Sequence, residues 1–248
     1  AGQHVGYVNG KLENTIPGAI VESSTANEDW SEAIEPDYLV PDGVQYTITL
    51  DGSSMTQQDP QEDFGLIAPG YDLEIDNLSL NPGEKDMLSV SRNGTKASFT
   101  SSAQQAPVAY YGVSDSTSDY TFALSGDDIP ANGTISFDLP INGTGFTFST
   151  SNTGNATNSV SIGVDKEDDS GSHQFESDGI ALSDGDTATL EFGSWSPGQS
   201  MRLEATQGGQ KRSEDLPDQA GSGGAALFNS GSSGNSGNSG SSGGSGNS

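Results

Sequence analysis

From Val44 to Gln207 the sequence alternates apolar and polar residues in short runs, broken by turn residues about every 8 to 12 positions. A period of two sends successive side chains to opposite faces of an extended strand, whereas a helix needs a period near 3.6, so this pattern admits strands and little else. The first set comprises "VQYTITL" (Val44 to Leu50), "DLEIDNLSL" (Asp72 to Leu80), "MLSVSR" (Met87 to Arg92), "KASFTS" (Lys96 to Ser101), "PVAYYGV" (Pro107 to Val113) and "YTFALSG" (Tyr120 to Gly126). The turns "NPGEKD", "RNGTK" and "SDSTSD" separate them, and Asn93-Gly94 between two alternating runs is the strongest hairpin signal in the chain.

A second set follows: "GTISFDLPI" (Gly133 to Ile141), "GFTFSTSN" (Gly145 to Asn152), "SVSIGVDKE" (Ser159 to Glu167), "HQFESDGIAL" (His173 to Leu182), "ATLEFGSW" (Ala188 to Trp195) and "SMRLEATQ" (Ser200 to Gln207). Many short strands joined by tight turns pack as a sandwich or a barrel. The expected fold class is all-β, a jelly roll or β-sandwich, with a break near Asp127 to Asn132 separating two β-modules. On that reading 44–130 is a β-barrel or sandwich and 131–208 an Ig-like β-sandwich. One sandwich with strands exchanged between the halves satisfies the same pattern.

The ends differ from the body. Residues 1–43 show little alternation and read as an N-terminal arm, with one helical stretch, "NEDWSEAIE" (Asn27 to Glu35). Asn27 suits its cap, Glu28 and Asp29 its first turn, and Pro36 its end. Residues 209–248 read as a tail that becomes almost pure Gly, Ser and Asn from Gly221, a composition that buries no core and behaves as a flexible tether. Within it "AALF" (Ala225 to Phe228) is an apolar island. Leaving Leu227 and Phe228 in water forgoes roughly 1.5–3 kcal/mol each, so they are expected to dock as an anchor in a groove of the second module or of a neighbouring subunit, unless they are only the fading end of the fold. The sequence begins at Ala1, so removal of a signal peptide or of an initiator Met is expected.

Charge sets the environment and removes partners. Thirty-five acidic residues against 8 basic ones give a formal charge of -27. In molar salt the Debye length falls to roughly 3 Å, and such a surface becomes tolerable. The scarcity of Lys and the use of small polar residues resemble the proteomes of halophilic archaea. A surface this negative repels phosphate backbones, so no direct nucleic-acid binding is expected, and the one basic doublet, Lys211-Arg212, reads as a solvated loop after the last strand. The absence of Cys removes disulfides, thiolate metal sites and cysteine nucleophiles, and no apolar run reaches the roughly 18–20 residues of a membrane span.

Few residues suggest site chemistry. With Asp165 as a first ligand, Glu167, Asp169 and Glu176 fall at the third, fifth and twelfth positions of an EF-hand-like calcium loop, but Ser170 stands where that loop needs Gly and both flanks are strand-like. A solvated acidic hairpin accounts for the same residues, so no cofactor is expected beyond loosely bound cations. The two histidines, His4 and His173, sit in no catalytic motif, and "GSSGG" (Gly240 to Gly244) matches a nucleophile elbow only in letters, because it lies in the tether. The chain is therefore read as having no catalytic residues and as not an enzyme. Five glycosylation sequons occur, at Asn77, Asn93, Asn132, Asn142 and Asn155, four of them at expected turns.

"NTGNAT" followed by "LSDGDTATLEF" resembles the Ig-like adhesion modules common on archaeal surface proteins. In architecture and size the whole chain resembles the β-barrel major capsid proteins of haloarchaeal icosahedral viruses with an internal membrane. That resemblance implies an upright jelly-roll barrel at 44–126 and an outer β-domain at 133–207. The function expected is a non-enzymatic structural subunit of an extracellular assembly of a halophile, foremost a virion capsid protein. Its partners would be itself and the other subunits of that assembly, and its location the virion or the extracellular surface. The alternative is a secreted cell-surface protein: a pilus or filament subunit, an adhesin or a surface-layer component.

Overall fold

The alternating runs become strands in the computed structural model, which describes residues 2–8, 10–22, 36–114, 116–126, 129–138, 144–151 and 157–220. Two two-stranded sheets come first, β1 (Val5–Val8) with β2 (Lys11–Asn14), and β3 (Ile20–Glu22) with β4 (Asp37–Leu39). The body follows with β5 (Tyr46–Asp51), β6 (Asp59–Ala68), β7 (Tyr71–Leu80), β8 (Lys85–Val90), β9 (Lys96–Ser101), β10 (Val108–Ser114) and β11 (Ser118–Gly126). It continues with β12 (Thr134–Asp138), β13 (Phe146–Ser151), β14 (Asn158–Asp168), β15 (Gly171–Leu182), β16 (Thr187–Glu191), β17 (Met201–Gln207) and β18 (Gln210–Leu216).

These strands form two antiparallel sheets packed face to face. The small sheet has six strands in the order β15-β14-β11-β10-β7-β6, and the large sheet eight in the order β18-β17-β16-β13-β12-β9-β8-β5. All-β architecture and a sandwich are therefore what the chain builds. After β5 the chain lays a hairpin in the small sheet, crosses, lays one in the large sheet, and repeats. This is not jelly-roll winding, in which Greek-key connections carry a strand back beside an earlier one. Each new hairpin here simply pairs with the last one in its own sheet.

The winding is a tandem repeat. Small-sheet hairpins begin at Asp59, Val108 and Asn158, and large-sheet hairpins at Lys85, Thr134 and Thr187, an interval of roughly 50 residues. At each crossing from small to large sheet a four-residue turn closes by a backbone bond, from Glu84 to Asn81, Gly133 to Pro130 and Asp186 to Ser183, at 2.8–3.0 Å. The third residue of each has positive φ: Gly83 at 88°, Asn132 at 62° and Gly185 at 80°. That is the signature of a type II turn, which requires Gly or Asn there.

The expected break near Asp127 to Asn132 is one of these three equivalent crossings and no boundary between modules. β9 pairs with β12, and β11 with β14, so both sheets run straight across it. The core is continuous as well: Tyr111 and Phe122 from the first half stack on Phe146 from the second, with ring centroids 5.9 and 4.7 Å apart. The 44–130 and 131–208 modules are thus one sandwich with shared strands, and the Ig-like cadence is its repeat unit.

The tail begins later than residue 209. Lys211 and Arg212, expected in a loop, lie in β18, whose last residue Leu216 is buried in the core. β6 was absent from the expected strands because "DPQEDF" combines Pro with acids, which an edge strand alone tolerates. The arm contains strands too. Its pairs set Tyr7 beside Leu12 and Ile20 beside Leu39, all four exposed. The helix expected at Asn27 to Glu35 lies outside the described residues.

Candidate functional site

The two outer faces of the sandwich differ in chemistry. On the small sheet β7 presents Asp72, Glu74 and Asp76, and the other strands add Asp63, Asp119, Asp165, Glu167 and Glu176, with no Lys or Arg among the outward positions described. Asp76 records the crowding: burial, then Glu74 and Asp63, push its carboxyl pKa up to about 6. On the large sheet one row crosses every strand as Thr47, Ser89, Ser98, Ser136, Ser149, Thr187, Thr206 and Lys211. Hydroxyls also meet in pairs across strands, Thr100 with Thr134 and Thr147 with Thr189, both at 2.8 Å. Six of the charges on this face form ion pairs, Lys85 with Asp51 at 2.5 Å, Lys96 with Asp138 at 2.7 Å and Arg202 with Glu204 at 3.0 Å, and Glu191, Lys211 and Asp215 complete a nearly balanced set. A shallow, open depression of about 420 Å³ lies over the hydroxyl row.

Asp165, Glu167, Asp169 and Glu176 do not converge on a cation. They occupy a long hairpin whose two-residue turn, Asp169-Ser170, joins Asp168 to Gly171. Asp165 instead accepts bonds from Ser172 Oγ at 3.0 Å and Gln174 Nε2 at 2.8 Å. No group of three or more His, Cys, Asp or Glu able to hold a metal ion forms among the described residues. An extended hairpin spaces alternate carboxylates along one face, whereas a calcium loop must curl them around a point.

Of the sequons, Asn93 is exposed in the β8–β9 turn, where its Oδ1 accepts from Thr95 Oγ1 at 2.8 Å. Gly94 follows at φ 66°, under the ring of Tyr71. Asn132 is exposed at its crossing turn. Asn77 is exposed within β7, in a bulge with φ 60°, and its Nδ2 donates to the Ala106 carbonyl at 2.7 Å. A sugar on Asn77 would leave its nitrogen a single N–H for that bond. Asn142, Asn155, Leu227 and Phe228 lie outside the described residues.

Sequence reasoning missed a cluster where the chain leaves the sandwich. His173, on β15, faces Ser170 Oγ through Nε2 at 2.9 Å and Asp218 Oδ2 through Nδ1 at 2.7 Å. The order of atoms is that of a Ser-His-Asp triad, but the roles are not. Ser170 directs both its hydroxyl and its backbone N–H to Asp168 Oδ1, so neither is left for a substrate or an oxyanion. Trp195 closes the cluster, tilted against His173 and edge-on to Phe175 with centroids 4.7 and 5.3 Å away. Lys166, buried and paired with Asp168, lies 5.2 Å from the Trp195 ring centre and 5.7 Å from that of Tyr120.

Asp218 shows what this arrangement does. It accepts from His173, from the Gln174 N–H at 3.2 Å and from the Ala220 N–H at 3.1 Å, while the Gln219 N–H donates to the Gln174 carbonyl at 2.7 Å. Residues 218–220 are clasped to the edge of β15, at the point where the Gly/Ser-rich segment begins. No signal near His173 could reveal this, because its partner stands 45 residues on, in sequence read as tail.

One buried acid remains. Asp86 on β8 is 0% exposed, and neither carboxylate oxygen makes a well-formed hydrogen bond. Burial pushes its pKa up, and Ser101 directly opposite offsets this only in part. Its counterparts, three residues past the positive-φ residue of the other two crossing turns, are the buried Ile135 and Ala188.

No helix among the described residues is long and apolar enough to cross a membrane. Comparison with protein-family models, with curated proteins and with solved structures returns no match.

Proposed function

We propose that this chain is a non-enzymatic structural subunit of an extracellular assembly in a high-salt environment, with the virion capsid as the leading form of that assembly. The observation that carries the reading is the division of the surface: one outer face concentrates carboxylates with no Lys or Arg among its described outward positions, while the other is hydroxyl-covered and nearly charge-balanced. Carboxylates crowded on one face suit contact with concentrated brine. A hydroxyl-covered face whose charges nearly balance suits contact with protein, because burying it strands few ions.

Two further features support the same reading. The histidine cluster uses its groups to hold the chain end in place, with the serine committed to Asp168. The clasp also fixes where the Gly/Ser-rich segment begins, and a fixed point of departure is what a subunit needs if such a segment is to reach a neighbour.

The hairpin-by-hairpin winding favours a second reading, a secreted cell-surface protein. It departs from the jelly-roll barrel that the capsid resemblance implies, and tandem addition of hairpins suits an elongated or layered surface component equally well. Electron microscopy of the purified chain in multimolar salt tests both. Closed shells are the capsid outcome, filaments or planar lattices the surface outcome, and dispersed single particles under every salt and concentration would overturn the assembly reading.

A further inference from the structure

The sandwich has four edge strands, and three are protected. Along β15, Gln174 is occupied through both backbone groups by Asp218 and Gln219. β6 begins Asp59-Pro60 and shifts register twice against β7, devices that discourage a further strand. β18 is exposed almost throughout but carries Lys211, Arg212, Glu214 and Asp215. β5 has none of these defences. From Tyr46 to Leu50 it reads Tyr-Thr-Ile-Thr-Leu, it pairs only with β8, and no other backbone partner meets it among the described residues. Its one charge, Asp51, is neutralised by Lys85 at 2.5 Å.

The large sheet also overhangs the small one at this end. Phe64 of the small-sheet edge packs on Phe99 of β9, 6.1 Å between ring centroids, and β9 lies two strands in from β5. The inner face of β5 is left as a ledge on which Tyr46, Ile48 and Leu50 are only half-buried.

We propose that β5 pairs antiparallel with β5 of a second copy across a two-fold axis, joining two large sheets into one. Residues that face each other across a ladder must share a side of the sheet, which leaves two registers of five residues each, centred on Ile48 or on Thr49; the first keeps Asp51 of both copies out of the ladder and sets Ile48 against Ile48 of the second copy. Tyr46 then meets Leu50, and Thr47 meets Thr49. The inner ledge becomes an apolar row continuous with both cores, and the outer row of hydroxyls extends across the join.

Charge identifies the occupant. Two chains of charge -27 repel wherever carboxylates meet, and β5 is the edge that brings none unpaired. Pairing with β18 of another copy would set Arg212 and Glu214 beside Leu50 and Ile48, charge against apolar surface. An isologous pair avoids this and closes on itself.

The pairing deepens the assembly reading and rests on it for its purpose, since a dimer is the building unit it supplies. The test uses the full chain in multimolar salt. Sedimentation should return a dimer whose dissociation rises as salt is lowered. Because the chain has no Cys, Ile48→Cys should form a disulfide-linked dimer on mild oxidation, while Ser213→Cys on β18 should not. Ile48→Lys should weaken the dimer about tenfold or more with circular dichroism unchanged. A monomer at all concentrations, or linkage through Ser213 and not Ile48, would overturn the pairing. Microscopy would still judge assembly through other surfaces.

Discussion

The outer face of the small sheet and that of the large sheet are built by the same hairpin repeat, with the same turns and the same core beneath, yet they meet solvent differently. Where β7 and its neighbours point outward they offer carboxylates without a base among the described positions, and Asp76 holds its proton to an unusually high pH because burial penalises its charged form and Glu74 and Asp63 stand beside it. Where β9, β12, β13 and β16 point outward they offer hydroxyls, and their lysines already have partners. The backbone does not require this difference. It arises at outward positions that packing leaves free, so it reports what each face must touch.

The largest effect expected from this contrast is on salt dependence. Lowering ionic strength to 0.01 M extends the Debye length to about 30 Å, so acids across the small sheet begin to repel one another. Wild-type chain should lose its fold as salt is withdrawn. The combined change Asp72→Asn, Glu74→Gln and Asp76→Asn should lower the midpoint salt concentration to roughly half, while Asp138→Asn, Glu191→Gln and Asp215→Asn on the large sheet should leave it nearly unchanged. Circular dichroism across a salt titration measures both. Equal shifts from the two triples would mean that only net charge matters and that the division of faces is immaterial.

Next comes the pH response of Asp76. Its carboxyl is raised from the unfolded value of about 3.9 to about 6, so between those limits the folded chain binds more protons than the unfolded one. Stability from this group is therefore greatest below about pH 4, falls as pH rises to about 6, and is level above. Allowing for partial solvent exposure, the fall is on the order of 1 kcal/mol. Asp76→Asn should remove it, seen as a gain in denaturant midpoint at pH 7 with little change at pH 4. An equal gain at both pH values would place the effect in packing rather than in charge.

How much of this was legible depended on the range of the signal. The strands of the body were, since alternation is local and each of "KASFTS" and "SMRLEATQ" carries its own parity. So was the buried side of β8: Leu88 and Val90 put Asp86 inward with them, although an acid there argues against it. The crossings were half legible. "NPGEKD" and "LSDGD" read as turns while "IPANG" reads as a break between modules, and the equivalence of the three appears only once Gly83, Asn132 and Gly185 share positive φ. Strand partners were not legible, because β9 with β12 and β11 with β14 are choices between many compatible edges. Nor was the His173 cluster, whose parts come from a hairpin turn, a strand and a segment beyond the last strand.

A smaller effect sharpens the contrast from the other side. Ser136→Asp sets a carboxylate in the middle of the hydroxyl row, flanked by Ser98 and Ser149. With no like charge among its cross-strand neighbours it should cost less than about 0.5 kcal/mol and barely move the salt midpoint. If the assembly reading holds, the same change should impair particle formation far more than it impairs the isolated fold, which light scattering alongside thermal melting would separate. Unchanged particle formation would remove the large-sheet face from the contacts.

The most local effect lies at the seam, where the chain passes from β18 of the large sheet to the edge of β15 in the small one. Burial alone would raise the pKa of Asp218, but hydrogen bonds from His173, the Ala220 N–H and the Gln174 N–H outweigh it and hold the group below the ordinary carboxylate range. A depressed folded value means that the clasp contributes fully above the unfolded pKa of about 3.9 and is lost as pH falls through the folded one. Asp218→Ala should lower the melting temperature by no more than about 2–4 °C, because the bonds are partly exposed and Leu216 still anchors β18 in the core. Amide exchange at Gln174 and Gln219 should respond far more, since opening the clasp frees both without unfolding a sheet. Acidifying the wild-type chain below about pH 4 should lower the protection of the same two amides relative to their intrinsic exchange rates, and the variant should show no such loss. If their protection survived the substitution, the chain end would be held by something other than Asp218, and the seam would belong to the core rather than to a clasp.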